Sequence, residues 1–505
     1  MTLDRLRGPI CALIFLFLAC AVLPYPGIQT DEALFAGAYY QDYAALDGFW
    51  AFKHHVPTML ISYLGALKTW LYYPIFKLFT PNVWSLRLPV ALLGAGSVWC
   101  FTIFLRRLHG ERAAWFGGLL LATDPIFIQS TTFDWGPVAL QHFLFLAAGV
   151  LLLRSTSSPP SRPSRSAFVW DGAWCLAFFL LGLALWNKAL AVWTFAGLLL
   201  PLLALFPGAV KNALTVRRCA LALAFFAIGS FPFLRFNVRQ PAATVHDNVK
   251  ITTAELAPKA RLLYETLRGY ALMEYIAYEP REAQRWTYVP YALLAAMILL
   301  LIWPSRLGWY PLAAGAIMFL LMAITRNAGG AVHHLVLIWP LQYWAIAAAF
   351  AIPWRVRGPA PLALAVVLLL ALDNARVLNI YRSALIAQGS PGSWNNAIFP
   401  LAARIKALNP KTVRVYDWGM SDNLLLLTER RAPFAWNDRP YQAEIFADLD
   451  DLWIGTLRPF EAFANVNRDL QQAAADAGYD RQVVETVSDR QGRPVFELFQ
   501  FAPKR

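Results

Sequence analysis

The stretch Gln29-Thr30-Asp31-Glu32-Ala33-Leu34-Phe35 follows directly on the first apolar run of the chain, residues 9–26. If that run crosses a bilayer, two adjacent carboxylates stand at the water boundary just beyond it. Acidic residues at membrane depth are costly and concentrate where function needs them. The same residues also read as the start of a solvated helix, with Thr30 or Asp31 as N-cap and the carboxylates favouring its positive end. Spacing alone does not separate the two readings.

The composition speaks for the membrane. Of 505 residues, 58% are hydrophobic and 15% charged, and the mean hydropathy is +0.45; a soluble domain carries about a quarter charged residues. Repeated apolar runs of about twenty residues predict an all-α polytopic membrane protein. The net charge of +13 does not imply nucleic acid, because the basic residues cluster between apolar runs, as in loops retained on the cytoplasmic side. All five cysteines (Cys11, Cys20, Cys100, Cys175, Cys219) lie in or beside apolar segments. The polar C-terminal region therefore has neither a disulfide framework nor a cysteine zinc site. Phe17-Leu18-Ala19-Cys20 faintly resembles a lipoprotein cleavage site, but the many later runs favour an uncleaved first span.

Charge parity sets the topology. Arg5 and Arg7 place the N-terminus in the cytoplasm, so Asp31 and Glu32 emerge outside. Arg106, Arg107 and Arg112 belong inside, which allows one crossing between. Residues 84–105 are the better span; 58–79 contain Lys68, Lys77 and Pro74 and are expected as one or two helices in the outer interface. The runs 113–130, 138–153, 168–186, 189–206, 219–234, 287–303, 309–325, 332–352 and 359–372 then alternate, giving about eleven spans in an inner (plasma) membrane. Residues 1–373 form this domain, with external loops 27–83 and 235–286. Residues 374–505 turn polar and predict a small α/β soluble domain outside, with helices at 396–408 and 459–477, strands at 413–416 and 452–455, and two strands closing around Asp489-Arg490-Gln491-Gly492.

The same counting brings Asp134, in Thr131-Thr132-Phe133-Asp134-Trp135-Gly136-Pro137, to the side of Asp31 and Glu32. Alone it reads as a helix cap. Together, three carboxylates on one face are the makings of general-base chemistry, since like charges raise one pKa. External cations and histidines at the boundary are candidates for a lipid phosphate or sugar: Lys53, His54, His55, Lys188, Arg235, Arg239, Arg326, His333 and His334. For any one of them, headgroup contact or snorkelling is the better explanation. Lys188 is the most pointed, set between two apolar runs with no acid beside it. His54-His55 and His333-His334 match no known metal spacing. The loop 235–286, with Tyr264, Tyr270, Tyr275 and Tyr278, reads as amphipathic helices that serve as a lid or a plain surface. No nucleotide cradle is visible, so an activated substrate has to arrive by membrane.

At this point the chain resembles the GT-C superfamily of polytopic glycosyltransferases, in the branch of protein O-mannosyltransferases and bacterial lipid A aminoarabinose transferases. The resemblance lies in Asp31-Glu32 after the first span, His55-Val56-Pro57, Trp84-Ser85-Leu86-Arg87-Leu88-Pro89, Asp124-Pro125 with Asp134, Asn187-Lys188, and His333-His334 with Pro340. It covers most of residues 1–350; His55-Val56-Pro57 departs from the double-proline element of the family, and the double histidine is unusual. The resemblance implies inverting transfer of a sugar from a polyprenyl-phosphate carrier to a lipid, glycan or protein acceptor on the extracytoplasmic face. It implies Asp31 as general base, Glu32 as acceptor or sugar contact and Asp134 as second acid. Lys53, Lys188 and Arg326 would neutralise the departing phosphate, and Arg87 would be structural. Metal dependence varies across the superfamily, so no cofactor is assigned and a divalent metal stays open. The rival readings are a transporter or flippase of lipid-linked or anionic solutes, which calls for charged or broken helices at mid-bilayer, and a scaffold presenting the C-terminal domain.

Overall fold

A computed structural model describes all residues except 1–2, 41–44, 52–53, 157–164, 279–286, 353–359, 431–433, 437–442 and 505. Each of the eleven apolar runs is built on helix. The first elements are α1 (Leu3–Val22), α2 (Thr30–Gly37), β1 (Asp47–Ala51), β2 (His54–Ile61), β3 (Leu64–Gly65), α3 (Leu67–Leu78), α4 (Val83–His109), α5 (Glu111–Thr123), α6 (Pro125–Thr132), α7 (Val138–Thr156), α8 (Arg165–Asn187) and α9 (Ala191–Leu205). Among the described residues, α4, α7, Arg306–Ala323 and Ala360–Gln388 are each long and apolar enough to cross a bilayer. Two bent pairs pass the same test jointly: α9 with Pro207–Ala213, at 107°, and Val216–Gly229 with Phe231–Arg239, at 72°. Leu6–Val22, Asp171–Asn187 and Val289–Ile302 are apolar but shorter.

The helices break where the sequence supplies a reason. Between α5 and α6 the break is Asp124-Pro125: proline opens α6, and the Asp124 side chain accepts from the Phe127 amide as N-cap. Tyr343 closes on the same carboxylate from helix Leu341–Phe350, which satisfies a buried acid that would otherwise be costly.

The segment 58–79 is only partly helical. Residues 54–61 are a strand, because His54-His55-Val56-Pro57-Thr58-Met59-Leu60-Ile61 is rich in β-formers and finds a partner in Asp47–Ala51. The interfacial helices expected over 58–79 thus shrink to α3, which follows a three-stranded antiparallel sheet ordered β1-β2-β3. The loop 235–286 does carry helices, at Ala243–Asn248, Leu256–Leu267 and Met273–Ile276.

The last long helix, Ala360–Gln388, runs past the change in composition at residue 374. The α/β unit after it has strands β4 (Val413–Val415), β5 (Phe434–Trp436), β6 (Leu452–Thr456), β7 (Tyr479–Ser488) and β8 (Pro494–Pro503), in the order β5-β4-β6-β8-β7. The pairs β4–β5 and β4–β6 are parallel; β6–β8 and β7–β8 are antiparallel. The unit is not hung on a tether. Ala33 and Ala36 of α2 and Tyr72 and Phe76 of α3 share one core with Leu401, Ile405, Val413, Leu424, Ile454 and Leu498. The other side of α2 buries Phe35 and Ala38 against Leu60 and Leu64. Burying a side chain the size of Phe35 stabilises by about 1.5–3 kcal/mol. So α2 is a wedge between the helix bundle and the C-terminal sheet.

Candidate active site

The wedge begins with a capping box, but neither Thr30 nor Asp31 is the cap. Gln29 is: its Oε1 accepts from the amides of Asp31 (2.7 Å) and Glu32 (3.4 Å), and Glu32 Oε2 accepts from the Gln29 amide at 3.3 Å. Because Gln29 caps the helix, the Asp31 carboxylate is left free for other work. Among the described residues no hydrogen bond reaches it. Burial raises its pKa to about 6, against the opposing pull of Lys188 and Lys68.

Glu32 has the opposite fate. Arg87 grips it with Nε on Oε1 at 2.6 Å and Nη2 on Oε2 at 2.8 Å. The same guanidinium donates to the carbonyls of Leu23 (2.8 Å), Pro26 (2.9 Å) and Gly27 (2.6 Å) and lies 4.8 Å over the Phe133 ring. Both partners are fully buried. A forked ion pair of this kind ties the end of α1, the start of α2 and the start of α4 together. Both carboxylate oxygens of Glu32 are thus engaged by Arg87.

Asp134 is held in a left-handed backbone conformation, φ 27°. Its Oδ1 accepts from the Ala139 amide at 2.8 Å, which caps α7, and its Oδ2 meets Lys68 Nζ at 2.8 Å. Lys68 also donates to the Asp134 carbonyl at 3.0 Å. In the sequence Lys68 stands out only as a charge just before Trp70, Tyr72 and Tyr73.

Lys188, buried at the end of α8, donates to Gly136 O at 2.9 Å and His333 O at 3.2 Å. Burial lowers its pKa to about 7, while Asp134 and Asp31 act to raise it. Gly136 is required here, because a Cβ would stand 2.7 Å from His333 Cδ2 and 3.1 Å from Lys188 Nζ. Two acids and two lysines thus act on one another at one end of the helices.

An aromatic wall closes the cluster. Trp135 stands 5.5 Å from both Tyr275 and Trp394, and Tyr275 is 5.9 Å from Trp394. Tyr275 comes from the long loop and Trp394 from the C-terminal unit. Burial raises the Tyr275 hydroxyl to about 12, with Asp31 adding to the rise. Trp135 Nε1 donates to His333 Nδ1 at 2.6 Å, which leaves the proton of a neutral His333 on Nε2. His334 is buried beside it, with ring centroids 4.4 Å apart and neither nitrogen hydrogen-bonded among the described residues.

Other expected contacts lie elsewhere. Arg235 pairs with Asp47 at 3.0 Å, and Arg239 with the same residue at 3.6 Å, so both pin helix Phe231–Arg239 to β1. His54 is exposed at the start of β2, and His55 packs on Trp50 at 5.5 Å. Arg326 is exposed, its amide donating to Lys250 O at 2.8 Å. Lys53 lies outside the described residues. Among those residues no three His, Cys, Asp or Glu gather as metal ligands, so His54-His55 and His333-His334 are not joined with the acids into one site.

Asp134→Asn keeps the cap on Ala139 but removes the charge that orders Lys68. Turnover at this cluster is expected to fall about a hundredfold, the scale of a small misplacement of a catalytic group. The check is kcat per folded molecule; wild-type rates would leave Asp134 a cap and nothing more.

No protein-family profile and no curated protein matches the sequence. Solved structures do match in fold. ArnT from Cupriavidus metallidurans bound to undecaprenyl phosphate superposes with a TM-score of 0.59, over 97% of this chain and 97% of that one, at 14% identity. The fold is GT-C. The Archaeoglobus fulgidus oligosaccharyltransferase in complex with Zn and sulfate also shares this GT-C fold, with a TM-score of 0.51 over 89% of this chain and 68% of that one, at 13% identity. Its apo form gives 0.50 over 90% and 69%, again at 13%. The GT-C match to ArnT extends through both the helical region and the C-terminal unit.

Proposed function

We propose that this chain is an integral-membrane glycosyltransferase. It moves a sugar from a polyprenyl-phosphate carrier to a hydroxyl of a lipid, glycan or protein acceptor, with inversion. The observation that carries this reading is the contrast among the three acids: Glu32 and Asp134 are bonded, whereas Asp31 is unbonded among the described residues and has its pKa raised to about 6. Such a carboxylate is charged at neutral pH yet basic enough to take a proton in the transition state. Asp31 takes the acceptor proton as the acceptor oxygen attacks the anomeric carbon, and the bond from that carbon to the phosphate oxygen breaks on the opposite face. Lys188 stabilises the charge that develops on the departing phosphate. The protonated Asp31 then returns its proton to water. The undecaprenyl phosphate bound to the ArnT neighbour supports the class of donor. A Zn-bound neighbour gives reason to assay with and without chelator. On this reading the N-terminus is cytoplasmic, and the acids and residues 374–505 are extracytoplasmic.

The test is purified protein incubated with a panel of polyprenyl-phosphate sugars, following release of the lipid phosphate. One donor is expected to turn over; no release from any of them would defeat the reading. The pH profile of kcat/KM on that donor is expected to be bell-shaped. Activity falls as pH drops through about 6, because Asp31 works as the charged form. It falls again as pH rises through about 7, because Lys188 works protonated. Lys188→Met should lower the rate and erase the alkaline limb; an alkaline limb unchanged in that variant would remove Lys188 from the role.

A further inference from the structure

Tyr275, the member of the aromatic wall that comes from the long loop, stands on little of its own: Met273–Ile276 is a single helical turn, and Tyr275 is half-exposed. So short a helix is marginal in water, and its place is set by what grips the chain on either side. Before it, the buried Tyr381 hydroxyl of helix Ala360–Gln388 is shared between the carbonyls of Gly269 (2.8 Å) and Tyr270 (3.0 Å). After it, three residues past Tyr275, the grip is Arg493. Its guanidinium carbon lies 5.1 Å from the centre of the Tyr278 ring and 5.1 Å from that of Phe460, within the reach of cation–π attraction.

Arg493 is itself fixed. It closes the tip of the β7–β8 hairpin, where Asp489 accepts from its Nε at 2.8 Å and from its amide at 2.9 Å. Asp489 also accepts from Asn395 Nδ2 at 3.2 Å, and the carbonyl of the preceding Trp394 accepts from the Gly27 amide at 2.6 Å. Gln491 Nε2 donates to Ile386 O at 3.1 Å, near the end of helix Ala360–Gln388. The hairpin tip thus grips the long helix and the turn that bears Trp394, and that turn meets the segment leading into α2. Arg493 ties the long loop to the same tip, a task the transfer chemistry above does not require of it.

We propose that Arg493 is a positioning residue: by seating Tyr278 on the hairpin tip it holds Tyr275 against Trp135 and Trp394, and the closed wall keeps water from Asp31. The part that concerns Asp31 rests on the transferase reading. Among the described residues, the titratable groups that act on Asp31 are Lys188 at the end of α8, Lys68 of α3, Tyr63 between β2 and β3, and Tyr275. Of these, Tyr275 alone comes from the long loop, so it is the one that Arg493 governs. Opening the wall would hydrate the Asp31 carboxylate, and hydration lowers a carboxyl pKa that burial has raised.

The experiment is hydrogen exchange read by mass spectrometry on the purified full chain, with the pH profile of kcat/KM measured on the same samples. Arg493→Met and Tyr278→Leu break the contact from opposite sides, and the second leaves the Arg493–Asp489 pair intact, so it carries both measurements if the first fails to fold. In each, the segment 273–278 should exchange about tenfold faster, the scale of one cation–π contact, while β8 exchanges as in the wild type. The acid limb, expected near pH 6 in the wild type, should move down by about half a pH unit or more. Tyr278→Phe keeps the ring and should match the wild type in both. Unchanged exchange at 273–278 in Tyr278→Leu would overturn the grip, and faster exchange with an unmoved acid limb would overturn its role at Asp31. Exchange needs no donor, so the two ideas separate: a chain that releases no lipid phosphate fails the transferase reading, while the exchange rates still decide the grip.

Discussion

Replacing Asp31 with Asn is expected to cut sugar transfer by about a thousandfold, within the range that a positioned general base contributes. The variant is isosteric, and the Gln29 cap that starts α2 does not involve the Asp31 side chain. The helix should form as before, and unfolding temperature and detergent-solution behaviour should match the wild type. What is lost is a carboxylate able to take the acceptor proton, while Lys188 remains in place. The effect therefore belongs in kcat, with KM for the donor little changed. A rate within tenfold of the wild type would remove Asp31 as the base.

The second large effect is on stability. Arg87→Met leaves Glu32 buried without its partner and opens the carbonyls of Leu23, Pro26 and Gly27. Removing one member of a buried pair costs about 3–5 kcal/mol, a large part of the total stability of a typical domain, about 5–15 kcal/mol. Little folded protein should be recovered. Removing both charges in Glu32→Leu/Arg87→Met should restore part of the loss, since the uncompensated carboxylate is gone. Activity per folded molecule is the discriminating measurement. If Glu32 only holds the fold, the folded double variant transfers sugar at near wild-type rate. A persistently low specific rate in well-folded protein would return Glu32 to the substrate. An Arg87→Met protein that melts with the wild type would show the clamp to be unimportant.

Much of the fold was legible because a bilayer imposes length and charge rules that survive without knowledge of contacts. The eleven apolar runs became helices for that reason. The closing pair of strands was readable from local alternation. Strand β2 was not, because its partner β1 and the turn between them decide it. The site divides the same way. Charge counting set residues 31 and 134 on one side, and in the fold Lys68 and Lys188 act on both. Counting could not reveal that Arg87, 55 residues away, holds Glu32, or that Trp135 bonds to His333 across 198 residues. Nor could it tell Lys68 from a snorkelling surface lysine. Such roles depend on which partner lies across the bundle, and residue type carries no record of that.

The hydrophobic seam between α2 and the C-terminal sheet has a practical corollary. With Ala33 and Ala36 set among Leu401, Val413 and Leu498, a chain cut after Gln388 would lose the backing behind Asp31. Chimeras that exchange the terminal unit would have to carry the segment around residues 27–37 with it, or residue 31 would be left without a fixed address.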